Sequence, residues 1–314
     1  MVSEGFFVDS LKKFAGGRAG RLLLLFLGGA LTGLTLIFNE VGLFEWLMLV
    51  PAAYVLVDLA RRQDTKLKSS YGYGFVFFMS FYLVIYHWFI YLYPLEFTGM
   101  SRISAAIVVL TGSVGMPLLQ SLCGGLVFVM TVLLGRTRMV RKHPTMIPFL
   151  AASLWVIFEW SQTQYWSGVP WGRLAIGQCN MPAMIGTASL LGSYLITFFL
   201  VAVNFSLATA LYEKPKAGLC ISLAVGMFVF NAGMGGLLHD LGKALVPLAV
   251  LNKPGKLTDA EFAIIQAHPA QGHQLLVEWL TDDPAVLDIV LHHHEMIDGS
   301  GYPHGHKGDA ISLL

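Results

Sequence analysis

Residues 21–38 read RLLLLFLGGALTGLTLIF, and only the first of them carries a charge. A helix needs about 20 predominantly apolar residues to cross the hydrocarbon core of a bilayer. Similar runs follow at residues 43–60, 73–93, 104–135, 146–160, 183–211 and 217–236. The sequence therefore predicts an all-α fold, a polytopic transmembrane helical bundle of about seven spans. The run at 146–160 is short, so the span count depends on it most.

The composition agrees with a membrane as the main solvent. Of the 314 residues, 55% are hydrophobic and 12% are charged, and the mean hydropathy is +0.65. A soluble domain carries about 25% charged residues, so a water-soluble globular protein is excluded. No cleavable signal peptide is expected, because residues 1–20 are mostly polar and no small-residue cleavage site follows the first apolar run. The net charge of +1 gives no information about partners.

Positive charges are divided unequally between the loops that join these runs. Alternate loops hold fourteen Lys and Arg residues, whereas the other loops hold only Arg102 and Arg173. Cytoplasmic loops carry an excess of Lys and Arg, so the N-terminal segment, residues 1–20, is expected in the cytoplasm. Seven crossings would place the C-terminal tail outside, and an even number would reverse it. The fourteen residues are Lys12, Lys13, Arg18, Arg21, Arg61, Arg62, Lys66, Lys68, Arg136, Arg138, Arg141, Lys142, Lys214 and Lys216.

Aromatic side chains crowd the outer ends of two of the predicted spans. Such belts are typical of the headgroup region, and this interpretation is preferred to a binding role. Glu159 lies near the outer end of the fifth run, where a charged group is either held by protein or solvated at the interface. The aromatic residues are Tyr86, Trp88, Tyr91, Tyr93, Trp155, Trp160, Tyr165, Trp166 and Trp171, with His87 among them.

Several short motifs connect the membrane half to a known family. Residues 155–160 read WVIFEW and are followed by GVPW at 168–171 and LGSY at 191–194. YGYGF at 71–75, the His87-Trp88 pair and the Val203-Asn204 pair fit the same pattern. Over residues 20–232 this set resembles the membrane region of apolipoprotein N-acyltransferase. The resemblance implies a transmembrane domain at 21–236 in a bacterial inner membrane, with phospholipid or lipoprotein as partners at its outer face.

In that family, acyl transfer depends on a cysteine in a nitrilase-like domain after the seventh span. A nucleophile of this kind must be activated by an adjacent base. No cysteine follows Cys220 here, so no nucleophile for acyl transfer is assigned and the chain is expected to show no such activity. Cys123 and Cys220 lie in apolar runs and are expected to be small buried hydrophobes. Cys179 lies in a predicted outer loop.

The composition changes abruptly after residue 236, where most of the ten histidines are found. LHDLGK at 238–243 is followed by LNKPGKLT at 251–258, then by His268-Pro269 with Gly272. HHE at 293–295 and DGSGYP at 298–303 complete the set. In this order the motifs closely resemble the HD-GYP family of metal-dependent phosphodiesterases, which hydrolyse cyclic di-GMP. A cyclic dinucleotide is therefore an expected partner, whereas a nucleic acid polymer is not.

The resemblance assigns roles to individual residues of the tail. Asp240 would act in catalysis by bridging two metals, and Lys243 would contact the scissile phosphate. The loop of Gly301, Tyr302 and Pro303 would shape the substrate pocket. Four further histidines match no ligand position and are expected to be solvated surface: His273, His292, His304 and His306. The implied metal ligands are His239, Asp240, His268, His293 and His294.

Local patterns support a helical tail that can gather these ligands. Thr258 with Glu261 three residues later forms a capping box after the Lys-Pro-Gly turn, and Asp283-Pro284 can start a later helix. The histidines then lie on separate helices or at their ends. Neutral imidazoles with a carboxylate suit Fe or Mn first, and Zn as a further choice.

The tail also departs from the family pattern. Family members have further ligands upstream of the HD pair, where residues 217–233 are apolar here, and an Asp ligand beyond the position of Ile311. Residues 237–314 are therefore expected to form a partial domain that holds metal weakly and is inactive or slow. Three hypotheses stay open: a membrane-anchored phosphohydrolase, a remnant of an N-acyltransferase, and a non-functional fusion of two unrelated segments.

Overall fold

The computed structural model describes residues 12–164, 171–179, 181–238, 240–279 and 284–308. These residues are almost entirely helical and include no β-strand, which confirms the predicted all-α class. The α-helices, in order, are α1 (Arg18–Ile37), α2 (Glu45–Met48), α3 (Val50–Arg61), α4 (Leu67–Ile85), α5 (Arg102–Leu110), α6 (Met116–Gly135), α7 (Arg138–Lys142), α8 (Ile147–Gln162), α9 (Pro182–Ile185), α10 (Ala188–Leu191), α11 (Ser193–Tyr212), α12 (Ala217–Leu238), α13 (Leu248–Leu251), α14 (Asp259–Gln266), α15 (His268–Trp279) and α16 (Pro284–His292).

Six helical stretches within the described residues are long and apolar enough to cross a membrane. The run at 146–160 forms α8, whose 16 residues fall short of the roughly 20 that a span requires. The chain is thus a membrane protein. The fifth predicted span, which corresponds to α8, is shorter than the six stretches. The six stretches are Arg18–Ile37, Glu40–Arg61, Leu67–Leu92, Arg102–Gly135, Ser193–Tyr212 and Lys214–Gly233.

Two of the long predicted runs are not simple helices. Between α5 and α6 the chain forms a π-helical turn at Thr111–Gly115, so residues 102–135 continue as one helical stretch. The run at 183–211 is broken before α11, because Gly192 has a positive φ of 68°, a conformation that glycine adopts at little cost. The expected span is present, but it begins at Ser193 with the 20-residue α11 and not at residue 183. The short α9 and α10 precede it.

The chain forms two compact units. The membrane unit comprises residues 1–177 and 197–226, and the second unit, which we call the HD unit after its His239-Asp240 pair, comprises residues 178–196 and 227–314. In the membrane unit, α4 packs against both α1 and α6. Glycines permit these close approaches: a Cβ at Gly29 would overlap the backbone of Phe77, and one at Gly124 would overlap the ring of Phe78. Small residues at helix contacts are a general device of membrane bundles.

An aromatic core fills the centre of the membrane unit. Phe78 lies at its middle, with ring centroids 4.9 Å from Phe158 and 5.1 Å from Trp155. Trp155 and Tyr86 are 3% and 0% exposed, so the headgroup-belt interpretation is wrong for these two residues. It failed because both side chains turn inward between helices. Tyr91, Tyr93 and Trp160 are exposed, and Tyr165 and Trp166 lie outside the described residues.

Glu159 belongs to this interior and is only 3% exposed. Its Oε1 accepts hydrogen bonds from Trp155 Nε1 at 3.1 Å and from the backbone N–H of Leu174 at 2.9 Å. Its Oε2 accepts one from Thr197 Oγ1 at 2.8 Å. Solvation at the interface, one of the two expectations for this residue, is therefore wrong. Three donors of the protein replace water around the carboxylate.

The cysteines are only partly where the sequence placed them. Cys220 is buried, as expected, but Cys123 on α6 is exposed. The expectation for Cys123 is wrong because α6 has one face turned away from the bundle, and in a membrane that face meets lipid. A weakly polar thiol is tolerated on such a face. Cys179 has intermediate exposure.

Candidate metal centre

Four of the predicted ligands come together in the HD unit. Asp240 lies in the turn that follows α12, His268 is the first residue of α15, and His293 and His294 follow the end of α16. Their ligand atoms all lie within 4.8 Å of one another. We call these four residues the quartet. His239, the remaining predicted ligand, lies outside the described residues.

The orientation of two imidazoles in the quartet is fixed by backbone carbonyls. His268 Nδ1 lies 2.6 Å from the carbonyl oxygen of Ile265, and His293 Nδ1 lies 2.8 Å from that of Val290. A carbonyl oxygen can only accept a hydrogen bond, so in both rings Nδ1 carries the hydrogen. In the neutral ring Nε2 then presents its lone pair, which is the usual arrangement of a metal-binding histidine.

These two lone pairs point at the same place. His268 Nε2 lies 3.2 Å from His293 Nε2. Asp240 Oδ1 lies 3.3 Å from the first nitrogen and 3.7 Å from the second. Two neutral imidazole nitrogens and a carboxylate oxygen repel one another at such distances unless a proton or a cation lies between them. The donor set therefore fits a divalent metal ion, and imidazole with carboxylate suits a transition metal.

Lys243 and Tyr302 border the quartet. Lys243 Nζ donates to Asp240 Oδ2 at 2.8 Å, from the short 3₁₀ turn Leu241–Leu245. The Tyr302 ring stacks on His294 with a centroid distance of 4.5 Å and an interplanar angle of 27°. Burial, and then the charge of Asp240, raises the pKa of the Tyr302 hydroxyl. The phenol therefore stays protonated at neutral pH and can donate a hydrogen bond.

Two glycines set the distance between Asp240 and His268. A Cβ on Gly242 would overlap the carbonyl oxygen of His268. Gly272 faces Gly242 one turn further along α15, and a Cβ there would meet the Gly242 nitrogen at 3.0 Å. The chain that carries Asp240 can therefore lie directly against the start of α15. This close approach brings the Asp240 carboxylate near the imidazole of His268.

The helix before α15 begins as the sequence predicts. Thr258 and Glu261 form a capping box at the start of α14, which confirms that prediction. Lys253 Nζ adds an ion pair to Glu261 Oε2 at 2.6 Å. The Lys253 hydrogen bond, and then those from Thr258, lower the pKa of Glu261 to about 2. Asp283, the predicted cap of α16, lies outside the described residues.

Glu295 holds the loop that follows Pro303. Its carboxylate accepts hydrogen bonds from the backbone N–H groups of His304 at 2.7 Å, Gly305 at 3.1 Å and His306 at 2.9 Å. Burial alone would raise the pKa of Glu295, but these three donors outweigh it and the pKa lies below its ordinary value. The loop is thus fastened to the end of α16 by an ionised side chain.

The solvated-surface expectation for the other histidines is only partly met. His304 is exposed, but His292 and His306 are half-buried, and the ligand nitrogens of these three lie within 4.8 Å of one another. Sequence reasoning missed this second group because its members are separated by a loop whose path no local pattern predicts.

Comparison with known proteins gives each unit a family. The model of the apolipoprotein N-acyltransferase N-terminal domain matches residues 28–206, more than half of the chain. The chain belongs to this family. A second model, that of the HD domain, matches residues 227–314. The chain is therefore a membrane protein of the N-acyltransferase N-terminal-domain family that also carries an HD domain, as the sequence motifs predicted.

Curated relatives resemble the HD domain. A cyclic di-GMP phosphodiesterase of Pseudomonas aeruginosa is 52% identical over 111 residues, which is 34% of this chain and 27% of the relative. A 3'3'-cGAMP-specific phosphodiesterase of Vibrio cholerae is 47% identical over 78 residues, 25% of this chain and 17% of the relative. A cyclic di-GMP phosphodiesterase response regulator of Xanthomonas campestris is 46% identical over 81 residues, 26% and 21% of the two chains. This chain thus spans about a quarter or less of each relative.

Proposed function

We propose that the HD unit binds a divalent transition metal ion at the quartet and hydrolyses a phosphodiester bond of a cyclic dinucleotide. The convergence of His268 Nε2, His293 Nε2 and Asp240 Oδ1 within 3.7 Å carries this proposal. Fe²⁺ and Mn²⁺ are the preferred ions, and Zn²⁺ is a further choice, since imidazole nitrogens and a carboxylate oxygen suit all three. The relatives' activity on cyclic dinucleotides supports the substrate class.

When bound, such an ion would supply positive charge to activate a water molecule and to stabilise the phosphoryl oxygens. The chain's own residues contribute binding and orientation. The Lys243 ammonium lies at the edge of the quartet and could bind a phosphate oxygen in exchange for Asp240 Oδ2. The Tyr302 ring, flanked by Gly301 and Pro303, gives the site an aromatic wall on which a base can stack. Its protonated hydroxyl remains a hydrogen-bond donor.

We expect this centre to work slowly. Two-metal phosphohydrolases hold their ions about 3.5–4 Å apart and clamp both the attacking and the leaving oxygen. The four described ligands can complete the coordination of one ion, whereas a second ion would have to share them. Weak metal binding and turnover below that of a two-metal enzyme therefore stay predictions for this chain.

The test uses the full chain, purified in detergent through a tag without histidine. Metal content is measured together with conversion of cyclic di-GMP to its linear product. We expect the Asp240→Asn, His268→Gln double variant to lose the quartet ion and all metal-dependent hydrolysis. His273→Gln is the matched control, because His273 belongs to neither histidine group. Metal content and turnover that are unchanged in the double variant would contradict the proposal.

The side of the membrane is a separate proposal. The charge split between the loops supports an N-terminus in the cytoplasm, and we propose seven crossings, with α8 as a short one, and therefore an HD unit outside. Glu159 is compatible with a crossing because the protein itself satisfies its carboxylate. Reporter fusions after Leu211 and after Gly236 should then report opposite sides. Reports from the same side would mean that α12 does not cross.

A second candidate role belongs to the membrane unit, which we propose to be a platform for phospholipid. An apolar groove of about 420 Å³ runs between α1 and α4, and His87 lies at its edge. Its volume and lining suit an acyl chain. Photo-reactive phospholipid should label peptides of α1 and α4, and labelling elsewhere would contradict the proposal. The apolar lining includes Phe26, Ala30, Leu34, Ile37, Phe38, Leu83 and Val84.

A further inference from the structure

We propose that His292, His304 and His306 form a second metal site, distinct from the quartet, which binds a zinc-like transition-metal ion and ties the loop after Pro303 to the end of α16. We call these residues the triad. Their ligand nitrogens lie within 4.8 Å of one another. The ring centroids are 5.4 Å apart for His292 and His304, 5.1 Å for His292 and His306, and 5.1 Å for His304 and His306.

The spacing is close to what one ion requires. A zinc–nitrogen bond is about 2.0–2.1 Å long, so two nitrogens on one tetrahedral ion lie roughly 3.3 Å apart. Side-chain rotation of His304 and His306 would have to close the remaining gap. Three imidazoles with a fourth position left open to water are an established zinc coordination. The triad offers nitrogen donors only, which favours zinc, cobalt, nickel or copper over magnesium or calcium.

An outer-shell partner already orients His292. Its Nδ1 lies 2.9 Å from Asp288 Oδ1, one turn earlier on α16. An ionised carboxylate only accepts hydrogen bonds, so Nδ1 carries the hydrogen and the lone pair of the neutral ring is on Nε2. Carboxylate–histidine pairs of this kind accompany most metal-bound histidines and fix both the tautomer and the ring orientation.

The other two ligands are supplied by a loop whose backbone is already fixed. Glu295 accepts hydrogen bonds from the N–H groups of His304 and His306, so both backbones are fastened to the residues that follow α16. Their rings stack with an interplanar angle of 17°, so one ring must rotate about its side-chain bonds before both lone pairs meet the same ion. Because the loop is held before any ion arrives, metal binding loses little conformational entropy.

The triad is separate from the quartet even though His292 precedes His293. The two rings have different partners, since His292 Nδ1 lies against Asp288 Oδ1 and His293 Nδ1 lies against the carbonyl oxygen of Val290. The two groups share no member. The triad would hold a structural ion, since it joins positions 292, 304 and 306 and so closes the loop that contains Tyr302. Its failure would leave the proposed function untouched.

Zinc binding to the metal-stripped full chain tests the proposal. In an Asp240→Asn, His268→Gln background we expect one equivalent of Zn²⁺ per chain, and of Co²⁺ with the visible absorption of a low-symmetry site. Adding His304→Gln and His306→Gln should abolish that equivalent. Asp288→Asn should weaken it about 10–100-fold, as loss of an outer-shell partner does, and His273→Gln should not change it.

The triad substitutions are also made in the wild-type background, so that the test does not depend on correct folding of the Asp240→Asn, His268→Gln variant. There, His304→Gln with His306→Gln should lower the zinc stoichiometry by one while the quartet ion and its hydrolysis remain. Unchanged stoichiometry in this variant would overturn the triad. A zinc stoichiometry that Asp240→Asn with His268→Gln leaves unchanged, and that His304→Gln with His306→Gln lowers by one, would count against the proposed function but not against the triad.

Discussion

Glu159 in the membrane unit and Asp240 in the HD unit are both carboxylates among hydrogen-bonding side chains, yet their surroundings are opposite in kind. The Glu159 carboxylate accepts hydrogen bonds from three donors: an indole N–H, a backbone N–H and a hydroxyl. Beside Asp240 Oδ1 lie the Nε2 atoms of His268 and His293. In both rings the hydrogen is on Nδ1, where it is donated to a backbone carbonyl. The donors around Glu159 stabilise its negative charge. The lone pairs that face one another at Asp240 would be stabilised only by a cation between them.

The kind of neighbouring atom, donor or lone pair, distinguishes a structural carboxylate from a candidate metal ligand better than burial does. Glu159 is the more deeply buried of the two, and burial of an ionisable group is often taken as a sign of function. Its three donors, however, already supply the polar partners that a buried carboxylate needs. We therefore take the convergence of electron pairs at Asp240, and not burial, as the basis of the proposed metal site.

Removing the Glu159 carboxylate should have the largest effect. Glu159→Ala leaves three buried donors without an acceptor, and each unsatisfied group costs about 1–3 kcal/mol. We expect a loss of about 3–5 kcal/mol, measured by denaturant unfolding of the purified chain in detergent. Glu159→Gln keeps one acceptor oxygen and should lose much less. Equal losses in the two variants would mean that the cavity, and not the hydrogen bonds, determines the cost.

Removing metal should affect only the HD unit, by an intermediate amount. An ion at 100 times its dissociation constant stabilises the folded state by about 2.7 kcal/mol. A chelator should therefore make peptides from residues 240–308 exchange amide hydrogens faster and leave those of the membrane unit unchanged. In the Asp240→Asn, His268→Gln variant the response should shrink to the part contributed by the triad. A full response in that variant would place the stabilising ion elsewhere.

The smallest effect is expected at Glu261, a half-buried carboxylate that accepts hydrogen bonds from Lys253 and Thr258. Its pKa falls from 4.5 to about 2 in the folded chain, so its ionised form stabilises the start of α14. That contribution is complete above pH 4.5 and is lost as the pH falls toward 2. Hydrogen exchange of residues 257–266, corrected for intrinsic rates, should therefore accelerate across this window. In Glu261→Gln the acceleration should be absent, and its persistence would assign it to another group.

Much of the fold could be predicted because a membrane-spanning helix needs a long run of apolar residues, which is visible in the sequence. The apolar stretches gave the helical membrane class, and the capping box gave the start of α14. The break at Gly192 was missed, because the residues around it are as apolar as those of α11. The burial of Trp155 and Glu159 was also missed, since a helix sequence does not say which face meets another helix.

The candidate site was predictable in its members but not in its geometry. The family resemblance implied Asp240, His268, His293 and His294 as ligands, and the structure brings them together. Motifs alone could not reveal the triad, because the position of His304 and His306 beside His292 depends on the three backbone hydrogen bonds to Glu295. A tertiary contact of that kind leaves no periodic trace in the sequence.

The contact between Gly242 and the start of α15 limits which sequences can form this centre. Any side chain at position 242 would push Asp240 away from His268, so a chain could keep every ligand residue and still lose the proposed ion site. When genomes are searched for further copies of the quartet, a larger residue at position 242 should therefore count against a chain even if its four ligands are intact.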